Sequence, residues 1–214
     1  MPEVLKMTAI ATPPAKPAVS SATRALPFTQ RTDVTVQELE NTSLPYPAEL
    51  YNGKVVFKMA NYEHGKIQAK LASKLDSYLE QHAIGDVVTE TNFKLWPEQE
   101  RQSRIPDVAF VRKERLPQDL RHFPALAPDL AIEIISPEDN FLQVMSKVDE
   151  YLAQGTHTVW LVISDTREVL VCNATNKYSV RDVLTAPELL PGFELPVAKI
   201  FEGLPLPERT FEEE

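Results

Sequence analysis

Two acids stand in stretches that otherwise read as buried strand. Asp107 sits in Ile105-Pro106-Asp107-Val108-Ala109-Phe110-Val111, and Glu133 is in the middle of Leu130-Ala131-Ile132-Glu133-Ile134-Ile135. A buried carboxylate costs several kcal/mol unless it is paired, neutralised or bound to a cation. Two carboxylates from adjacent strands can share a hard cation such as Mg²⁺ or Mn²⁺, which takes oxygen ligands and keeps several waters. Such a metal activates water and stabilises charge on a phosphoryl oxygen. A third group must then steady the nucleophile or the transition state, and lysine suits that role. Ile135, two residues after Glu133, cannot serve. Lys147 borders the apolar face of the next helix, and its long stem can carry the ammonium back over the strand end.

The elements that must position these groups follow from periodicity. Leu130–Ile135 is apolar and β-branched, as in a strand buried on both faces. Ser136-Pro137 ends it, since proline has no N–H for a ladder. Ser136 or Asp139 is expected to cap a helix whose residues Phe141, Val144, Met145, Val148, Tyr151 and Leu152 make one apolar face. Gly155 closes it, and Val159-Trp160-Leu161-Val162-Ile163 is a second buried strand. Strand, helix, strand implies a parallel pair with a right-handed crossover.

Upstream, Thr35-Val36-Gln37-Glu38 has capping-box spacing. Glu49 to Phe57 reads as a hairpin turning at Asn52-Gly53. A long helix is expected over about Tyr62–His82, with Ile67, Leu71, Leu75, Tyr78 and Leu79 as its buried stripe. Lys66, Lys70 and Lys74 ridge another of its faces, which reads as solvated more readily than as a phosphate track. Val87–Leu95 and Ile105–Val111 are further strands, joined by a polar loop. Glu168–Cys172 is a hairpin partner of the second buried strand, Tyr178–Val183 an edge strand, and Leu190–Val197 a terminal wrap. The class is mixed α/β, a largely antiparallel strand group followed by a strand–helix–strand unit.

Composition sets bounds. The chain has 214 residues, 43% of them hydrophobic, enough for one full-sized core. Residues 1–30 hold five prolines among Ala, Ser and Thr and read as a disordered arm. Residues 31–206 form the domain, and 207–214 an acidic tail. No run approaches the ~20 apolar residues of a membrane span, and no apolar secretory core follows the first methionine. Cys172 is the one cysteine, which removes disulfides and cysteine-based zinc sites and fits a reducing cytoplasm. A net charge of −9 argues against a protein that coats nucleic acid non-specifically, but leaves room for an enzyme with a locally basic groove.

Taken together, Pro106-Asp107, Glu133-x-Ile135 and a helical Lys147 resemble the PD-(D/E)XK nuclease superfamily with its lysine moved from strand to helix. The wider order resembles the Uma-two family of restriction-endonuclease-like proteins. It is carried by Tyr51-Asn52-Gly53, Glu63-His64-Gly65, Ile105–Val111, Pro128–Pro137, Lys147 and Tyr151, Val159–Val162 and Leu190-Pro191-Gly192-Phe193, and it covers roughly residues 35–201. The resemblance implies a restriction-endonuclease-like core, a central mixed sheet flanked by helices, and Mg²⁺- or Mn²⁺-dependent hydrolysis of DNA phosphodiesters. It makes Asp107, Glu133 and the backbone carbonyl of Ile134 metal ligands, and puts Lys147 beside the attacking water. Glu63, with His64 beside it, is the candidate acid from the first long helix. Lys54 stands where the family commonly has an acid. Duplex DNA as substrate implies a homodimer.

Other readings of the same residues stay open here. Glu133 can be a core acid paired with an arginine, Asp107 can cap a turn, and Lys147 and His64 can be ordinary helix residues. Pro128-Asp129 is a rival to Pro106-Asp107, set aside because it is expected at the frayed start of its strand. Tyr151 and Trp160 read as core aromatics. A catalytically idle copy of the fold, serving as an interaction module, is the alternative to an enzyme, and a phosphoesterase acting on RNA or small substrates is a third reading.

Overall fold

The computed structural model describes residues 26–136 and 138–206. Most of the expected arm, the expected acidic tail and Pro137 lie outside the described residues. Within the arm, Phe28–Gln30 forms a 3₁₀ turn.

The first elements are α1 (Val36–Glu40) and the hairpin of β1 (Ala48–Tyr51) and β2 (Lys54–Phe57). The capping box forms: Glu38 N–H donates to Thr35 Oγ1 at 3.2 Å, and Thr35 N–H to Glu38 Oε2 at 2.9 Å. Asn52 and Gly53 turn the hairpin with φ of 49° and 80°. A Cβ on Gly53 would meet the Thr32 carbonyl oxygen at 2.6 Å, so the sequence needs glycine there for space as well as for φ. Next come α2 (Tyr62–His82), β3 (Gly85–Thr89), β4 (Val108–Arg112) and β5 (Leu130–Ile135). After these follow α3 (Phe141–Ala153), β6 (Thr158–Ile163), β7 (Glu168–Asn173) and β8 (Lys177–Val180). The chain closes with the antiparallel pair β9 (Val183–Ala186) and β10 (Leu190–Pro196) and the short α4 (Val197–Ile200).

The central sheet has six strands in the order β3-β4-β5-β6-β7-β8. Only β5 and β6, joined through α3, run parallel; the other neighbours are antiparallel. Helix α2 lays Ile67, Leu71 and Leu75 on one face, against Val108, Phe110, Ile132, Trp160 and Val162. Helix α3 lays Val148 and Tyr151 on the other, against Ala109, Ala131, Val159 and Leu161. This alternation is why both strands of the parallel pair read as continuous apolar runs.

Three details differ from expectation. Asn140 caps α3, accepting from Leu142 and Gln143 N–H, while Asp139 turns back to accept from Ser136 N–H. The strand expected over Val87–Leu95 ends at Thr89, because Glu90 takes a left-handed φ of 47° and turns the chain out of the sheet. Of the α2 lysines, Lys66 donates to Gly203 O at 2.7 Å and Lys70 to the carbonyls of Lys199 and Glu202. They tether the segment around α4 by meeting its free carbonyls.

Candidate active site

Register puts the two acids face to face. β4 and β5 pair Val108 with Ile132, so Asp107, one step before β4, stands opposite Glu133. Asp107 N–H donates to Ile132 O at 3.0 Å, and Ile134 N–H donates to Asp107 Oδ2 at 2.6 Å. Both acids are buried, with Asp107 1% and Glu133 6% exposed. Like charges directly opposite on neighbouring strands repel. This site therefore needs cations, and the fold brings two.

Lys58, just past the end of β2, places Nζ 2.7 Å from Asp107 Oδ1, 3.1 Å from Glu133 Oε2 and 3.1 Å from Ile105 O. Lys147, on α3, places Nζ 2.9 Å from Glu133 Oε1, 3.1 Å from Glu49 Oε2 and 3.2 Å from Ile105 O. Tyr151, one turn further along α3, donates its hydroxyl to Glu133 Oε1 at 2.9 Å. Glu49 in β1 is held by Ile105 N–H at 2.9 Å. From α2, His64 Nε2 reaches within 3.2 Å of Asp107 Oδ1, and Gln68 donates to Asp107 O at 2.9 Å.

The ionisation of these groups follows from burial set against charge. Burial alone would raise the Asp107 carboxyl; His64 and the Lys58 ammonium outweigh it and hold the group well below the usual carboxylate range. Glu49 is likewise pushed up by burial and held down overall by Lys147, Arg104 and Lys58. Burial would strip Lys58 of its proton, yet Glu133, Asp107 and Glu49 together raise it far above an ordinary lysine. Burial, with Glu133 and Glu49 behind it, raises the Tyr151 hydroxyl.

The structure thus brings Asp107, Glu133, Lys147 and His64 together. The Ile134 N–H points at Asp107, and its carbonyl faces the same strand edge, since both groups of one strand residue share a side. Glu63 lines a small cleft with Asn61, His64, Ile67, Ile134, Ile135, Ser136 and Ser164, of which His64 and Ile134 also meet Asp107. Asp129 lies away from them, held by Arg115 at 2.7 Å and by Arg112 N–H at 2.9 Å, so it serves structure at the opposite end of β5. Arg104 is buried, pairs with Glu150 at 2.7 Å and lies near the faces of Tyr51 and Trp96. Sequence reasoning missed Lys58 and Glu49. Glu49 lies in the first strand of the hairpin and Lys58 just past the end of the second, and no local signal separates them from ordinary surface charges.

Among the described residues no group of three or more His, Cys, Asp or Glu is set to hold a metal ion. The oxygens nevertheless suit a hard cation. Asp107 Oδ1, Glu133 Oε2 and Ile105 O already surround one positive charge, the Lys58 ammonium. Buried Asp107 Oδ1 faces Lys58 Nζ at 2.7 Å and His64 Nε2 at 3.2 Å without a well-aligned hydrogen bond from either. An all-oxygen cradle of this kind matches Mg²⁺ or Mn²⁺ chemistry.

The architecture is a six-stranded mixed sheet with facing acids at one end and a helix on each side. Residues 36–198 match the Uma2 family, described as "Putative restriction endonuclease". The chain belongs to that family. Among solved structures, one from Anabaena variabilis described as "a putative nuclease belonging to DUF820" is similar at a TM-score of 0.66 and 23% identity. The similarity covers 78% of this chain and 97% of that one, and it is a likeness of fold. No curated protein matches the chain. Among the described residues no helix is long and apolar enough to cross a membrane.

Proposed function

We propose that this protein is a metal-dependent endonuclease that hydrolyses DNA phosphodiesters at the Asp107–Glu133 site. The observation that carries the reading is the pair of buried acids, opposite one another in register and bridged by a cation. Asp107, Glu133 and the Ile134 carbonyl would hold Mg²⁺ or Mn²⁺, with Glu63 as a further oxygen donor from the cleft wall. A divalent cation bound there would supply Lewis-acid stabilisation of the phosphate and a more acidic water.

The chain's own residues do the remaining work. Tyr151 and Lys147 fix Glu133 through Oε1 and leave Oε2 toward Asp107. Ile134 N–H fixes Asp107 through Oδ2, and His64 stands against Oδ1. The Lys147 ammonium offsets negative charge that develops at the phosphate. DNA is the expected substrate on the strength of the family, and a homodimer would meet both strands. A reducing cytoplasm suits the buried free thiol of Cys172.

One observation favours a second reading. Two lysines already neutralise the carboxylates, as they would in a catalytically idle copy that serves as an interaction module. Nicking of supercoiled plasmid in Mg²⁺ separates the two. The nuclease reading expects nicking by wild type that is abolished by chelator and by Glu133→Ala. Nicking that survives in Glu133→Ala overturns it.

A further inference from the structure

The four carboxylate oxygens of the facing pair are not equally engaged. Glu133 Oε1 takes Lys147 and the Tyr151 hydroxyl, and Asp107 Oδ2 takes the Ile134 N–H. The two that remain, Glu133 Oε2 and Asp107 Oδ1, are the two bridged by Lys58, with His64 Nε2 also 3.2 Å from Oδ1. Through these two oxygens a single cation, the Lys58 ammonium, joins both acids. Lys58 enters from the rim with its side chain 19% exposed, while the acids it meets are 2% and 8% exposed. A lysine stem has four rotatable carbons and a strongly hydrated head, so it can withdraw to water without disturbing β2. Lys147 is tied in a second direction, by its direct contact with Glu49 at 3.1 Å.

We propose that Lys58 is a resident counter-cation which occupies the divalent-metal position and must swing out before the metal enters, so that it sets the site's metal affinity. The inference rests on the metal-site reading above. Three acids and two lysines leave this cluster one charge negative. A divalent ion added without displacement would leave it one charge positive, whereas exchange for Lys58 leaves it neutral. Exchange is therefore the favoured event in a buried site.

The test is calorimetric titration of Mn²⁺ into full-length wild type, Lys58→Met and Glu133→Ala. Methionine keeps most of the stem and removes the charge. Removing the ammonium that must otherwise be pulled off both carboxylates before the metal enters should tighten Mn²⁺ binding roughly tenfold or more. Equal or weaker binding by Lys58→Met overturns the inference. The metal-site reading survives that result if Glu133→Ala has lost the binding seen in wild type. No Mn²⁺ uptake by any of the three overturns both. Should Lys58→Met fail to fold, wild type alone decides, through amine-reactive labelling read by peptide mass. Saturating Mn²⁺ should raise labelling of Lys58 several-fold and leave Lys147 unchanged; unchanged labelling of Lys58 overturns the inference.

Discussion

Replacing Lys147 by methionine keeps the packing of α3 and removes the ammonium that meets Glu49 at 3.1 Å and Glu133 at 2.9 Å. Glu133 retains Lys58 and the Tyr151 hydroxyl. Glu49 retains the Ile105 N–H but loses the closest of the charges that hold it ionised. Breaking a buried pair by removing one partner costs about 3–5 kcal/mol, because the other charge stays behind uncompensated. The partial exposure of Lys147 points to the lower end, about 3 kcal/mol, or a fall in Tm of roughly 6–12 °C for a chain of this size. Adding Glu49→Gln to Lys147→Met should recover most of the loss, since the stranded charge has gone. Guanidinium unfolding of wild type, both single variants and the double variant gives the cycle. A loss below ~1 kcal/mol for Lys147→Met, or a double variant no better than it, would refute the claim that these charges are coupled across the site.

Acid stability should report on Asp107. Its folded pKa is depressed, so the stability it contributes is present above the unfolded value of about 4 and is lost as pH falls below that, toward the folded value. Asp107→Asn should therefore lower stability near neutrality and give a shallower acid limb in urea unfolding from pH 7 to 3; limbs that run parallel contradict this. Lys58 has the opposite sign: its folded pKa is raised, so its contribution is complete below about 10.4 and is lost as pH rises beyond that. Gly53→Ala, at φ 80° and with a Cβ 2.6 Å from the Thr32 carbonyl oxygen, should cost about 1–3 kcal/mol in thermal or chemical unfolding. Lys66→Met with Lys70→Met should speed amide exchange across residues 197–206, because the carbonyls of Lys199, Glu202 and Gly203 lose their donors. Unchanged exchange there would return these lysines to the solvated face expected from spacing.

What could be read from sequence was whatever leaves a local imprint. The parallel pair β5 and β6 announces itself because both faces are covered, and α2 and α3 because each repeats apolar residues at helical spacing. Glu133 stood out as a lone anion in an apolar run, and the structure does bury it. The cations around it were harder to see. Lys58 meets Glu133 across 75 residues of sequence, and that distance leaves no trace in either local pattern. Tyr151 shows the converse: it fits its helix as a core aromatic and is one, and only its hydroxyl end reaches the site. Strand ends were misjudged where one backbone angle decides, as at Glu90, because residue type barely signals a left-handed turn at glutamate.

The most direct test of the central claim is cleavage of a supercoiled plasmid in Mg²⁺ by wild type and by the isosteric variants Asp107→Asn and Glu133→Gln. These remove charge while keeping volume, and circular dichroism can verify their folding in the same samples. The account predicts nicking by wild type that stops with chelator and falls by at least about a hundredfold in each variant, the scale expected when groups that organise transition-state charge are lost. Folded variants that nick DNA at the wild-type rate, or a wild type indifferent to chelator, would contradict it.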